Sequence, residues 1–216
     1  MCIHKDVAAA IVSIVMVVGS CAHAFAETFI DIYGGVAGTS SRDVTVSVFN
    51  FPSPDITATK SITFDDSVSV GVRAGGWSAS LPWLGGGVDL SYFRADGDNM
   101  KIAVIPLSTL VMFRYPLFRS SDYSSGRLQP YAAIGPGFFF YHASADFRPR
   151  VPKEVNENGY SVGIDVRAGL TLLLTRRVGV FGEYRYTYFT IDENFLDRFG
   201  VGIETNHLLC GLSFRF

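Results

Sequence analysis

From residue 28 onward, apolar and polar residues alternate one by one along most of the chain. That is the period of an extended strand, whose successive side chains point to opposite faces. The last segment shows it most plainly: Leu208, Cys210, Leu212, Phe214 and Phe216 share one face, while Gly211, Ser213 and Arg215 share the other. Ser67 to Trp77 sets Val68, Val70, Val72 and Ala74 against Ser69, Gly71, Arg73 and Gly75. Leu84 to Arg94 sets Val88, Leu90 and Tyr92 against Gly87, Asp89 and Ser91. Tyr160 to Thr175 opposes Val162, Ile164, Val166 and Leu170 to Gly163, Asp165, Arg167 and Gly169. Val178 to Thr190 opposes Tyr184, Tyr186 and Tyr188 to Glu183, Arg185 and Thr187, and Thr28 to Gly38 opposes Ile30, Ile32 and Val36 to Asp31. No helical period or cap competes with this pattern.

Two less regular stretches complete a set of eight predicted strands. Lys101 to Tyr115 is apolar on both faces and carries Pro106, and Pro130 to Tyr141 is interrupted at Pro136. Polar or turn-forming segments separate the strands: long ones at 39–66, 143–159 and 191–202, shorter ones at 95–99 and 116–129, and tight turns at Ser80-Leu81-Pro82 and Thr175 to Val178. The fold class is therefore all-β, an eight-stranded antiparallel barrel with both termini at one end and the long connections at the other. A soluble carrier of the same strand count would point its apolar faces inward and its charges out. Here the charges share a face with Gly and Ser, and the opposite faces are long runs of Val, Leu and Tyr. The pattern predicts a transmembrane barrel with lipid outside.

The first residues change the domain picture. Met1 to Asp6 form a short polar start, Val7 to about Gly19 are apolar, and Ala24-Phe25-Ala26 has the small-x-small pattern of a signal-peptidase site. Residues 1–26 are expected to be a cleaved signal peptide and 27–216 the barrel. The apolar run is too short for a helical span, which needs about 20 residues. Only Cys210 follows the leader, so it reads as a small hydrophobe. The net charge of −2 carries no basic field for nucleic acid. No phosphate-cradling glycine loop, zinc spacing or calcium loop is present, so no cofactor or metal is expected.

Leu128-Gln-Pro-Tyr-Ala-Ala-Ile-Gly-Pro-Gly137, Phe181-Gly-Glu-Tyr-Arg-Tyr186, Gly87-Val-Asp-Leu-Ser-Tyr92 and the terminal strand together resemble the small eight-stranded outer-membrane β-barrel family. That family includes the transmembrane domain of OmpA-like proteins and the opacity-type porin-like proteins. The resemblance covers the mature chain and implies a place in the Gram-negative outer membrane, with outer-membrane lipid and lipopolysaccharide as surroundings. It also implies that the strand ending in Phe216, with Phe214, Leu212, Cys210 and Leu208, is the assembly signal read by the barrel-assembly machinery. The peptidoglycan-binding domain that the longer OmpA-like proteins carry is not expected in this sequence. The fold hosts adhesins, stabilising proteins and enzymes, so it specifies an activity weakly.

Within a barrel, Arg73, Asp89, Asp165, Arg167, Glu183 and Arg185 must face the lumen, because charges on the lipid face cost several kcal/mol, about 2–4 at the midplane. Eight strands leave a lumen that side chains fill. The six are expected to form an interior network, with Arg73 on Asp89, and Asp165 or Arg167 on Glu183 and Arg185. The function this predicts is a non-enzymatic structural or surface-interaction role through the outer loops, whose ligand the sequence does not name; a small porin-like channel and a lipid A-modifying enzyme are the alternatives. For the enzyme, His142 and Ser144 share a face at the spacing seen in the lipid A deacylase family, without the rest of its motif. His207 is expected to pack or hydrogen-bond at a strand start. Pro106 and Pro136, on neighbouring strands, read as a bulge; proline-weakened strands admit lipid sideways in the lipid A palmitoyltransferase family.

Overall fold

The computed structural model describes residues 25–40, 42–48, 56–62, 64–97, 100–146, 154–191 and 201–216. The strands are β1 (Phe25–Thr39), β2 (Arg42–Val48), β3 (Ile56–Ile62), β4 (Phe64–Asp65), β5 (Ser67–Ser78), β6 (Leu84–Gly97), β7 (Met100–Arg114), β8 (Leu128–Asp146), β9 (Glu154–Leu173), β10 (Val178–Ile191) and β11 (Val201–Arg215). Eight of them, β1 and β5 to β11, pair antiparallel in the order β6-β5-β1-β11-β10-β9-β8-β7, and a β6–β7 pairing closes the ring. Closure leaves no open edge in the ring, which is what permits strands to stand in hydrocarbon. The short β4 adds to one end of β6, and β2 and β3 form a separate hairpin inside the 39–66 connection. The ends of the chain meet: the Thr28 amide donates to the Phe216 carbonyl at 3.1 Å and the Phe216 amide to that of Thr28 at 2.9 Å.

The alternation sorts as the sequence requires. Val68 is 69% exposed and Leu208 66%, whereas Arg73 is 1% and Asp165 0% exposed. Apolar outside and charged inside is the reverse of a soluble protein. β7 is apolar on both faces because its lumen side, Ile102, Val104, Leu110 and Met112, belongs to an apolar filling.

Three details differ from the sequence reading. First, 143–159 is not mainly loop: β8 and β9 stay paired up to Asp146↔Glu154, leaving only 147–153, outside the described residues. The backbone ladder continues past the apolar band, where alternation is no longer needed. Second, the prolines make gaps and not a bulge. The β7–β8 pairing runs to Ser108↔Gly137 and resumes at Val111↔Ile134, and the β6–β7 pairing runs to Leu90↔Leu107 and resumes at Phe93↔Val104. Register is unchanged across both gaps, so no extra residue is inserted. Pro136 lies in one and Pro106 in the other, each lacking an N–H.

Third, the 116–127 connection is an ordered cap over the end of the barrel that carries the termini. Leu117 and Leu128 exchange backbone hydrogen bonds, and Phe118 takes a left-handed φ of 53°. Gly126 has φ 81°, and a Cβ there would stand 2.7 Å from the Leu117 carbonyl oxygen, so only glycine closes this turn. The Gln129 side-chain amide donates to the Ser125 and Gly126 carbonyls, and the Ser125 hydroxyl donates to Glu27 at 2.8 Å.

Candidate functional site

The barrel interior is the one place where this sequence concentrates polar chemistry, and it is built in three layers. The middle layer holds all six charges expected there. Arg73 on β5 bonds Asp31 at 2.8 Å and Glu183 at 2.6 Å. Arg167 on β9 reaches Asp89 and Asp165, each at 2.8 Å, and Glu183 at 3.3 Å. Arg185 on β10 bonds Asp165 at 2.8 Å and approaches Asp89 at 3.7 Å. Two of the expected pairs form, Arg167 with Glu183 and Asp165 with Arg185, but the third does not: Arg73 binds Asp31 and Glu183 instead of Asp89. Arginine side chains are long enough to cross a lumen this narrow, so the partner is set by reach across the barrel as well as by the adjacent strand.

Neutral donors complete the layer. The Tyr33 hydroxyl donates to Asp89 at 2.7 Å, that of Tyr131 to Glu183 at 2.6 Å and that of Ser108 to Asp165 at 2.7 Å. Arg185 donates to the Ser91 hydroxyl at 2.7 Å. Gly71 makes room for this: a Cβ there would collide with the Tyr33 hydroxyl and with Ser91. Tyr33 and Tyr131 are the members that the sequence reading missed; each is a tyrosine on the polar face of its strand, which was the available signal. Asp31, on the polar face of the first strand, stands directly opposite Arg73 across the β1–β5 ladder.

Toward the termini lies a second cluster. Glu27 pairs with Arg114 at 2.9 Å and Arg215 at 3.3 Å, Arg114 stacks over Trp77 at 4.3 Å, and Arg215 over Phe29 at 5.0 Å. Between the two clusters a cavity of about 10 Å³, room for a single water, is lined by Asp31, Arg73, Trp77, Arg114, Gln129 and Tyr131 among others. Taken together, the five arginines of these clusters face five carboxylates, so the lumen is balanced in charge. Toward the opposite end the filling is apolar: Phe139 stacks on Phe189 at 4.6 Å, with Phe93, Ile102, Val104 and Ile203 packed beside them.

His207 sits in this interior, 1% exposed, edge-on to Phe93 at 4.8 Å and 3.3 Å from the Thr187 hydroxyl. It packs and hydrogen-bonds as expected, but in mid-strand inside the lumen and not at a strand start. His142 and Ser144 both lie on the outward face of β8, and His142 Nδ1 is 2.6 Å from the side-chain oxygen of Asn158. The histidine is thus held by an amide, whereas a serine nucleophile's histidine is oriented by a carboxylate in the familiar triad. Leu208, Cys210, Leu212 and Phe216 are exposed on the outer face of β11 and Phe214 half-buried, so the terminal strand shows its apolar side to lipid. Among the described residues no group of three His, Cys, Asp or Glu side chains could hold a metal ion.

No protein-family model and no curated protein matches the sequence. Solved structures match in shape. Neisserial surface protein A aligns over 88% of this chain and 97% of its own, with a TM-score of 0.53 and 15% identity. The outer membrane protein OprG from Pseudomonas aeruginosa aligns over 89% of this chain and 97% of its own, with a TM-score of 0.51 and 15% identity. At that identity the likeness is one of fold: the chain has the architecture of the small eight-stranded outer-membrane barrels.

Proposed function

We propose that this eight-stranded outer-membrane β-barrel is a structural and surface-interaction protein, a filled pedestal that presents its long connections outside the cell and carries out no turnover. The observation that supports the reading best is the lumen. Arg73, Arg167 and Arg185 cross it at mid-height, each on two or more carboxylates, and the stacked Phe139 and Phe189 fill it above. A permeation path would need these groups displaced together, and a buried charge left unpaired costs about 3–5 kcal/mol. On this reading the long connections at 40–66, 147–153 and 192–200 face outward among lipopolysaccharide and carry the binding surface. The leader 1–26 directs export, and the strand ending in Phe216 is recognised by the assembly machinery.

The test is conductance of the purified protein in planar bilayers, together with the lipid A mass spectrum of cells expressing it. The reading expects current at the level of bare membrane and an unchanged lipid A profile. Discrete conductance steps would establish a small channel instead, and a lipid A mass change abolished by His142→Ala would establish an enzyme.

A further inference from the structure

Phe118 is the one described non-glycine residue with a positive φ, and its large apolar side chain is 74% exposed. A bulky residue is disfavoured in that conformation, and glycine would adopt it freely. The segment around it is nevertheless firmly held. The Arg127 amide donates to the Phe118 carbonyl at 3.3 Å, the Leu173 amide to the Arg127 carbonyl at 2.8 Å, and the Tyr123 hydroxyl to the Leu174 carbonyl at 3.3 Å. Ser120 and Tyr123 close the tip through reciprocal backbone bonds of 3.1 and 3.2 Å. A strained, exposed phenylalanine on a rigid support needs a reason outside the polypeptide.

The surroundings supply one. Next along the chain Tyr115 is exposed, and Phe113 stacks on the exposed Trp83 at 6.1 Å, so the lipid-facing band continues to the base of this connection as an aromatic rim. Aromatic rings of this kind settle at the headgroup level of a bilayer. Around them stand four exposed arginines, Arg119, Arg127, Arg176 and Arg177. The single carboxylate in residues 116–127 and 174–177, Asp122, is already engaged by Arg176. An apolar ring beside a cationic cluster, continuous with the membrane face, is complementary to lipid phosphates over acyl chains.

We propose that the 115–127 connection is a membrane-interface anchor. It seats Phe118 at the boundary of headgroup and acyl chain in the leaflet at the termini, and sets Arg119, Arg127 and Arg177 against lipid phosphates. The left-handed turn at Phe118 breaks the strand alternation, and the rigid cap fixes the barrel's height and tilt in the bilayer through this one residue.

The experiment places a tryptophan at the site, Phe118→Trp, in a Trp83→Phe background where the buried Trp77 serves as constant reference. The full-length protein is reconstituted in phosphatidylethanolamine and phosphatidylglycerol vesicles containing lipids brominated either near the headgroup or deep in the chain. Bromines near the headgroup should quench the variant about twofold more than its parent, and Arg119→Gln with Arg127→Gln should reduce that quenching and remove its salt dependence. Heat-modifiable migration on gels checks folding; where Phe118→Trp fails it, a nitroxide on Phe118→Cys in a Cys2→Ser, Cys21→Ser and Cys210→Ser background reads depth by oxygen accessibility. Quenching by aqueous iodide equal to that of a tryptophan at Ser121, with no effect of bromolipid, would overturn the proposal. So would shielding that appears only when a periplasmic extract is added, which would mark a protein partner instead.

Discussion

Arg73 and Asp89 stand directly opposite each other on β5 and β6, yet Arg73 turns away to Asp31 and Glu183 while Asp89 is taken by Arg167. Charges in this lumen are wired both along the sheet, as where Arg73 meets Asp31 directly opposite it on β1, and across the barrel, as where Arg73 meets Glu183 and Arg167 meets Asp89. A double-mutant cycle on Arg73→Met and Glu183→Gln should therefore give a coupling of about 1.5–3 kcal/mol, and one on Arg73→Met and Asp89→Asn a smaller one. Urea unfolding in detergent micelles measures both; equal couplings would mean that Arg73 leans on Asp89 of the neighbouring β6 as much as on Glu183 across the lumen.

Glu183 accepts from Arg73, Arg167 and Tyr131, whereas Asp122 meets Arg176 on an exposed turn. Removing the first leaves buried cations short of a partner, and Glu183→Ala should cost about 3–5 kcal/mol. Asp122→Ala should cost about 1 kcal/mol or less. The same unfolding curves decide it, and small, equal losses would argue against a lumen closed by paired charge.

Phe118→Gly should raise stability in micelles by about 1 kcal/mol, because glycine adopts the left-handed turn without the clash of a Cβ. The midpoint should move up with an unchanged slope. A loss of stability would show that the ring supports the fold itself and not an external contact.

Phe189→Ala removes one half of the ring stack above the charges and should cost about 3–5 kcal/mol. It should not open a channel, since Arg167 and Arg185 still span the lumen below. Planar-bilayer recordings of the variant should remain at the level of bare membrane; stepwise current would place the closure in the aromatic layer alone.

The strands were legible because lipid imposes a strict rule: every second residue from Val68 to Ala74, or from Val162 to Leu172, must be apolar or small. That rule weakens where β8 and β9 extend to Asp146 and Glu154, and the sequence accordingly reads as loop there. β7 was ambiguous for a different reason, since Ile102 and Val104 face an apolar lumen and erase the contrast between faces. The inward charges were legible from their face, as were the neighbouring-strand pairs of Arg167 with Glu183 and Asp165 with Arg185; the pairs that cross the lumen, Arg73 with Glu183 and Arg167 with Asp89, were not, because alternation specifies which side of the sheet a residue takes and says nothing about which arginine spans the barrel. Glu27 read only as a first mature residue; its role between Arg114 and Arg215 depends on bringing together strands far apart in sequence.

The split of the lumen into an ionic half and an apolar half gives this small barrel two internal solvents. A void cut at Phe189 would be walled mainly by rings and aliphatic groups such as Phe139 and Ile203; such a void stays dry and admits a benzene-sized guest. A void of similar size cut at Tyr131 would open beside Arg73 and Glu183, whose freed valences call in water. The same scaffold, hollowed at one height or the other, would host a hydrocarbon or a hydrate.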